Sequence, residues 1–574
     1  MQRVLSPTTS SLFSRSRRAL SAARVLPSKH PATPSTNTSR PRPIEPGSRY
    51  NKSATDYRNV HATTAMCSRS PTRFNRFLEY TPLAEKACEF ITASPDPFHV
   101  VKNCVSRLEA EGYARLDTSE PFAGKLEPGG KYYYIVEYTT LVAFTVGAKF
   151  DAKKPFGFHI IGGHTDSPNL RVKPRSKRSA SGCTLLGVQC YGGGLWHTWF
   201  DRDLSVSGRV LVQKPRAGGE TKDSGRGALQ TEQKLVNLED PIARVSTLCI
   251  HYQSAEERKG FSVNKENHTA PIIATSGGIG SKSNETAKDV LEKETDHQIN
   301  QWQESQEPLL LQAIAEKLDI GVDEIVDFEL SLYDTQPSAL GGITKEFIYA
   351  ARLDNLATVF ASLEALVDYT GTDGKGLHDE SSDVSMAVFF DHEEVGSTSA
   401  QGAGSPVMAE AVKRISSALT GGGSADPDFH GACIRKSFVL SIDMVHAIHP
   451  NYSAKHESNH APKLNGGFVI KTNSNQRYAT SGISGFVVRE LGRIADVPVD
   501  EVVVRNDCPC GSTIGPRISA NTGMRVVDCG MPQLSMHSCR EVMGTSDLTH
   551  GKDVMLAFYN HFRSIDDKIS TDIE

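Results

Sequence analysis

The sequence predicts an α/β protein: an open sheet with helices on both faces, interrupted by an inserted, mostly β domain. Three observations carry that prediction. Short apolar runs at 158–161, 347–351, 386–390, 438–442 and 524–527 read as buried strands. Amphipathic stretches of helical period alternate with them, as in sheets covered on both faces. Between residues 169 and 341 the pattern changes to strand-like pieces separated by glycine runs and polar loops. The expected organisation is an N-terminal extension over 1–72, a first domain split into 73–168 and 342–574, and the insertion over 169–341 between its halves.

Composition bounds the function. At 574 residues the chain exceeds one small domain. A charged share of 23% and a net charge of -4 fit a soluble globular protein and argue against a nucleic-acid binder or a polybasic membrane anchor. No apolar run approaches membrane-spanning length. The 11 cysteines are scattered; only Cys508 and Cys510 are close-spaced, and two cysteines alone do not make a zinc site. A reduced, cytoplasmic protein is expected. Residues 1–42 hold no acidic residue and are rich in Arg, Ser and Pro. They read either as an organelle transit peptide, which would make the location organellar, or as a disordered extension with Met66 as the true start.

Along the chain, residues 82–93 and 96–111 have helical spacing, the second with Val100, Val101, Val105 and Leu108 on one side. Residues 132–146, aromatic and β-branched, read as strands. The strand at 158–161 runs into two glycines and then His164-Thr165-Asp166. An imidazole there can bind metal, with Asp166 orienting the ring or polarising the site. On its own such a pair is more often structural. In the insertion, residues 170–214 read as several short strands, with Gly192, Gly193 and Gly194 followed by an aromatic cluster of Trp196, Trp199 and Phe200. The two tryptophans read as core or interface residues. Residues 215–233 and 262–296 read as polar surface loops, 248–252 as a strand carrying His251, and 308–318 as a helix.

The first domain then resumes. Asp354 falls at a strand-to-helix turn, before a helix with Leu356, Val359, Phe360, Leu363 and Val367 on one face. The strand at 386–390 ends in Asp391-His392-Glu393-Glu394, and glycine and serine residues break it there. Adjacent carboxylates at the mouth of a buried strand need compensation, and neither Lys nor Arg lies within ten residues. A metal ion is the simplest answer; an exposed Glu pair at a helix N-terminus is the alternative. The strand at 438–442 ends in Asp443, with His446 and His449 just beyond. The strand at 467–470 precedes Lys471, and the one at 524–527 leads through a short loop to His537.

Strand after strand thus delivers His164, Asp354, Glu393 with Glu394, Asp443 and His537. Open α/β sheets bind ligands outside the carboxyl ends of their strands. Two imidazoles and three carboxylates converging there suit a pair of zinc ions, one His each and a carboxylate between them, about 3.5–4 Å apart. One spare carboxylate would serve as general base.

The segments GGHTDSPNLRVKP, YGGGLWHTWFDRDL, ARLDNL, DHEEVGS, SIDMVHAIHPNY, NSNQRYA, RNDCPCGSTIGP and QLSMHSCRE occur in that order. On them the chain resembles the aspartyl aminopeptidase family of co-catalytic di-zinc metallopeptidases, from about residue 77 to 563. The resemblance implies a zinc-peptidase-type sheet and removal of N-terminal Asp or Glu from peptides. It implies that His164, Asp354 and Asp443 hold one zinc, and Asp354, Glu394 and His537 the other, with Asp354 bridging. Glu393 would be the general base and Asp166 would orient His164. The insertion would be a dimerisation domain, dimers would build a dodecamer, and His251 would reach a neighbour's active site. Lys471 would read the acidic side chain of the substrate, where the ordinary alternative is a solvated surface lysine. His446 and His449 would line the substrate site or support it structurally. The cysteines of CPCGST lie near the site in the family pattern, with nothing in their spacing to make them nucleophiles. A related aminopeptidase preferring neutral residues, and a catalytically silent assembly or cargo protein, are the competing readings.

Overall fold

A computed structural model of the chain describes residues 76–214, 230–275, 297–371, 375–421 and 426–569. All belong to the unit Ser70–Glu574. The expectations for the extension before residue 76, and for loops at 215–229 and 276–296, lie outside the described residues.

A nine-stranded sheet forms the frame. Its spatial order is Ala114–Arg115, Lys131–Val136, Thr140–Val146, Val384–Phe390, Phe158–His164, Phe438–Ile442, Arg525–Gly530, Phe468–Lys471 and Val499–Val502. The four middle strands from Val384–Phe390 to Arg525–Gly530 run parallel. They are buried along nearly their whole length, which is why they read as unbroken apolar runs. Side chains still alternate between two faces. Ile161, Ala387, Phe389, Leu440 and Ile442 enter a core completed by the helices Leu353–Thr370 and Thr545–Asp566. Ile160, Met386, Val388, Phe390 and Val439 enter the opposite core, completed by Val407–Leu419 and Ile514–Thr522. Helices on both faces of a mixed sheet are the architecture the sequence predicts.

A second, antiparallel sheet comes entirely from the insertion, in the order Thr231–Asn237, Leu204–Gln213, Ile325–Asp334, Asn169–Ala180, Cys183–Tyr191 and Ile272–Thr275. It packs its own core with the helix Pro308–Leu318. Three expectations are corrected here. The short pieces at 170–214 are long strands, the first 12 residues in length. Its outward positions carry Arg171, Lys173, Arg175 and Lys177, so the apolar signal comes at every second residue and looks broken. The strand Thr231–Asn237 begins within one stretch expected as a loop, and Ile272–Thr275 lies inside the other. Residues 248–252 are not a strand: Ile250–Tyr252 is a single exposed 3₁₀ turn. Ile250 and Tyr252 find no sheet to pack on and stay 60% and 81% exposed.

A third, five-stranded sheet is small: Ala339–Gly341, Phe347–Ala350, Glu541–Gly544, Pro532–Leu534 and Val445–His446. It overturns the expectation that every site residue leaves one open sheet. The strand before Asp354 and the strand before His537 both belong to this small sheet. Strands of three or four residues are too short for periodicity to assign to a sheet.

Candidate metal centre

The parallel register sets the first side chains. His164 pairs directly with Phe390, so the strand Phe158–His164 ends level with Val384–Phe390. The strand Phe438–Ile442 lies on the other side of Phe158–His164, with Ser441 opposite Gly162. His164, the turn Glu393–Val395 and Asp443 therefore leave the same edge of the frame. The small sheet delivers the rest. Asp354 sits at the start of Leu353–Thr370 with φ -83 and ψ 103, outside helical values. His537 follows Pro532–Leu534 and holds a left-handed φ of 65.

The two oxygens of Asp354 face different imidazoles. Oδ1 lies 3.4 Å from His164 Nε2, and Oδ2 lies 3.6 Å from His537 Nε2. His164 Nε2 is also 3.6 Å from Asp443 Oδ1. His537 Nε2 is 3.3 Å from Glu394 Oε2. Two sets of three donors result, His164/Asp354/Asp443 and Asp354/Glu394/His537, each with its atoms within 4.8 Å of one another. His164, Glu393 and Glu394 form a third such set, which places Glu393 against the other two. Each ring is turned by its far nitrogen. His164 Nδ1 donates to the Asp166 carbonyl at 3.0 Å, and His537 Nδ1 to the Gly193 carbonyl at 3.3 Å. A carbonyl can only accept, so each Nδ1 carries a proton and each Nε2 is the nitrogen a cation would bind.

The electrostatics are those of a site short of positive charge. Burial pushes Glu393 up to about 8, with the charges of Asp443, Asp166 and Asp354 adding to it and His164 opposing. Burial and Asp354 raise Glu394 well above the carboxylate range. For His537 burial acts downward, yet hydrogen bonding to Asp354 and the charge of Glu394 carry it up to about 10. His164 is likewise raised against its burial, by Asp166, Asp354 and Asp443. Asp354 is held well below its usual value, against burial, by the two histidines. The buried oxygens Asp354 Oδ1 and Glu394 Oε1 have no hydrogen-bond partner. Unpaired buried carboxylate oxygens beside imidazoles fit a divalent cation, and mixed nitrogen and oxygen donors in threes fit zinc.

Asp166 does more than turn a ring. Its Oδ1 accepts the Glu393 N–H and its Oδ2 the Glu394 N–H, each at 3.1 Å. Oδ2 also accepts the Tyr191 hydroxyl at 2.6 Å, and the Arg171 guanidinium stacks 3.6 Å from the Tyr191 ring centre. The carboxylate of Asp166 thus fixes the turn that presents both glutamates. From the insertion, Gly192 comes close to Glu394: a Cβ there would lie 3.2 Å from the Glu394 Cβ, on a backbone with φ of 78 that only glycine adopts freely.

The other expected residues divide. Lys471 is buried, within Phe468–Lys471, and its Nζ lies 3.1 Å from Asp443 Oδ2 and 5.5 Å from the Tyr478 ring centre. It is therefore no solvated surface lysine. His446 lies on the strand Val445–His446, exposed. His449 lies in the loop beyond, where its Nδ1 accepts the Asn451 N–H at 3.2 Å and its ring packs on Tyr452. His251 stands on the exposed turn Ile250–Tyr252 and joins none of the donor sets among the described residues. Trp196 and Trp199 are core residues of the insertion.

Sequence reading passed over Glu541, Asn355 and Tyr191. Glu541 is buried, and its carboxylate accepts the N–H groups of His537 at 2.7 Å and Asp354 at 3.0 Å. Burial and the charge of Asp354 push it up to about 8, against those two hydrogen bonds. Asn355 donates from Nδ2 to Asp443 Oδ1 at 3.2 Å. Both residues stood inside segments that carry the resemblance, ARLDNL and QLSMHSCRE, but their neighbours supplied the obvious ligands.

The chain is similar to known zinc metalloproteases. Residues 90–559 match the family model for aminopeptidase I zinc metalloprotease (M18). A probable aspartyl aminopeptidase of Ricinus communis is 44% identical over 496 residues, covering 84% of this chain and 96% of its own. Among solved structures, the Ape4 and Nbr1 complex has a chain 37% identical with a TM-score of 0.77, covering 86% of this chain and 88% of its own. The mApe1 dodecamer of Saccharomyces cerevisiae is 28% identical with a TM-score of 0.70, over 86% of this chain and 100% of its own.

Proposed function

The chain belongs to the aminopeptidase I zinc metalloprotease (M18) family and is a zinc-dependent hydrolase, and from that premise we propose that it removes N-terminal Asp or Glu from peptides with two zinc ions per subunit. One observation carries the two-ion reading: the two oxygens of Asp354 face two different imidazoles, each backed by a further carboxylate. His164, Asp354 and Asp443 would hold one ion, and Asp354, Glu394 and His537 the other. When bound, zinc supplies Lewis acidity toward a carbonyl oxygen and makes water more acidic. Glu393, unclaimed by either set, takes the proton of the attacking water and delivers it to the leaving amine. Asp166 keeps the Glu393 carboxylate in place through the backbone of its turn.

Acidic preference is assigned to Lys471, the buried cation beside Asp443. A substrate carboxylate entering a closed pocket needs such a partner. By the family resemblance, His446 and His449 would line the substrate site or support it structurally. One observation favours the competing reading of a neutral preference: the Lys471 ammonium already has a carboxylate partner in Asp443. Peptides differing only in their first residue, assayed with and without chelator, decide between them. Turnover of Asp- and Glu-initiated peptides, lost with chelator, supports the proposal. Faster turnover of Ala- or Leu-initiated peptides refutes the acidic preference, and no turnover at all leaves the assembly-protein reading.

Self-association through the insertion is part of the proposal, with dimers building a dodecamer. Leu248, Ile250 and Tyr252, next to His251 in sequence, and Phe261 are exposed apolar side chains of the insertion and support an interface there. His251 would then complete a neighbouring site by stabilising negative charge on the substrate. Light scattering reads the assembly directly, and a monomer at working concentration would refute it. We place the enzyme in the cytoplasm, consistent with ten described cysteines that are all free. Fractionation of cells expressing the full chain tests that placement, and an organellar pool would overturn it.

A further inference from the structure

We infer that Glu541 is a positioning residue that holds Asp354 and His537 in one frame, and so sets the geometry of the Asp354/Glu394/His537 set. The inference rests on the two-zinc reading above. Glu541 opens the strand Glu541–Gly544, the middle of the small sheet. On one side lies Phe347–Ala350, the strand that leads to Asp354, with Ala350 opposite Glu541. On the other lies Pro532–Leu534, the strand that leads to His537, with Leu534 opposite Val542. The side chain thus stands between the two loops that deliver these residues.

Its carboxylate is divided between them. Oε1 accepts the His537 N–H at 2.7 Å, and Oε2 accepts the Asp354 N–H at 3.0 Å. Neither amide has a place in a regular ladder: Asp354 has non-helical backbone angles and His537 a left-handed φ. A buried N–H needs an acceptor, and one carboxylate serves both. Glu541 is only 2% exposed, an expensive position for a carboxyl group that merely fills space. It acts through the backbone, since its carboxylate oxygens accept from the two amides. Tolerances at such sites are about 0.5 Å, so a clamp on two ligand-bearing loops matters to binding.

Glutamine separates the two roles. Glu541→Gln keeps length and volume but has one acceptor, and turns an NH₂ group toward an amide N–H. The test is zinc content of the full-length protein by mass spectrometry across a chelator series, alongside melting of metal-free and zinc-loaded protein. The wild type should hold two ions. Glu541→Gln should hold one firmly and bind the second about 10–100-fold more weakly, the usual effect of losing a partner behind a ligand. Its gap between metal-free and zinc-loaded melting should shrink. Two ions held as tightly as in the wild type would overturn the inference, as would equal loss of both melting points with metal retention unchanged. Should Glu541→Gln not fold, Glu541→Asp decides: both acceptors remain on a shorter stem, so the second ion should leave at lower chelator, and wild-type retention overturns the clamp. A wild type holding fewer than two ions fails the premise itself, a result visible before any variant is compared.

Discussion

Replacing Lys471 by Met tests how the enzyme would read its substrate. The stem volume is largely kept and the charge is removed from a residue 4% exposed. Two partners lose by it. An acidic substrate loses its cation, and an unpaired buried carboxylate costs about 2–5 kcal/mol. At ~1.4 kcal/mol per tenfold, kcat/KM for Asp-initiated peptides should fall about 30- to several-thousand-fold. Asp443 also loses the ammonium 3.1 Å from its Oδ2, but keeps the Asn355 amide 3.2 Å from its Oδ1. The carboxylate therefore stays tethered, and neutral substrates should lose no more than about tenfold, the scale of one ordinary hydrogen bond. The assay is kcat/KM on peptides beginning with Asp, Glu and Ala, with zinc measured on the same sample. Equal losses on acidic and neutral substrates would refute the reasoning and assign Lys471 to the support of Asp443. A loss of zinc in step with activity would do the same.

Three further outcomes are expected. Glu393→Gln should lower kcat by ~10²–10⁴-fold, since the amide cannot take a proton, while both zinc ions stay bound; loss of zinc would make Glu393 a ligand. Asp354→Ala should empty both sites, because both oxygens of Asp354 are committed to different sets; retention of one full equivalent would refute the bridge. Away from the centre, buried Asp383 accepts from Arg563 Nε at 2.9 Å and has His159 Nε2 at 3.3 Å. Burial alone would raise its pKa, but His159 and Arg563 hold it well below the carboxylate range. Such a group stabilises the fold above its unfolded pKa of about 3.9, and that contribution is lost as pH falls through the lower folded value. Asp383→Asn should thus cost about 3–5 kcal/mol in denaturant unfolding at pH 7, and the difference from wild type should narrow below about pH 4; a gap that stayed constant down to acid unfolding would refute the pairing.

Much of this was legible in the sequence for identifiable reasons. The middle strands of the frame are buried on both faces, so Met386 to Phe390 and Phe438 to Ile442 announce themselves as apolar runs. Their ends carry His164, Glu393, Glu394 and Asp443, residue types too polar for such places without a purpose. Asp354 and His537 could be named, but their origin in a separate small sheet could not, because three- and four-residue strands leave no period to read. The insertion's long strands hid behind alternating Arg and Lys. Glu541 was invisible for a different reason. Its two bonds go to backbone amides, and nothing in a sequence marks which amides lack an acceptor. Lys471 could be placed after a strand but not beside Asp443, since that contact joins strands 28 residues apart.

The central claim is that two zinc ions share Asp354. Anomalous X-ray diffraction from crystals of the zinc-loaded protein, collected on both sides of the zinc absorption edge, tests it most directly. Two peaks about 3.5–4 Å apart are expected, one among His164, Asp354 and Asp443 and one among Asp354, Glu394 and His537. A single peak in fully zinc-loaded protein, or a pair of peaks with Asp354 bound to only one, would contradict it.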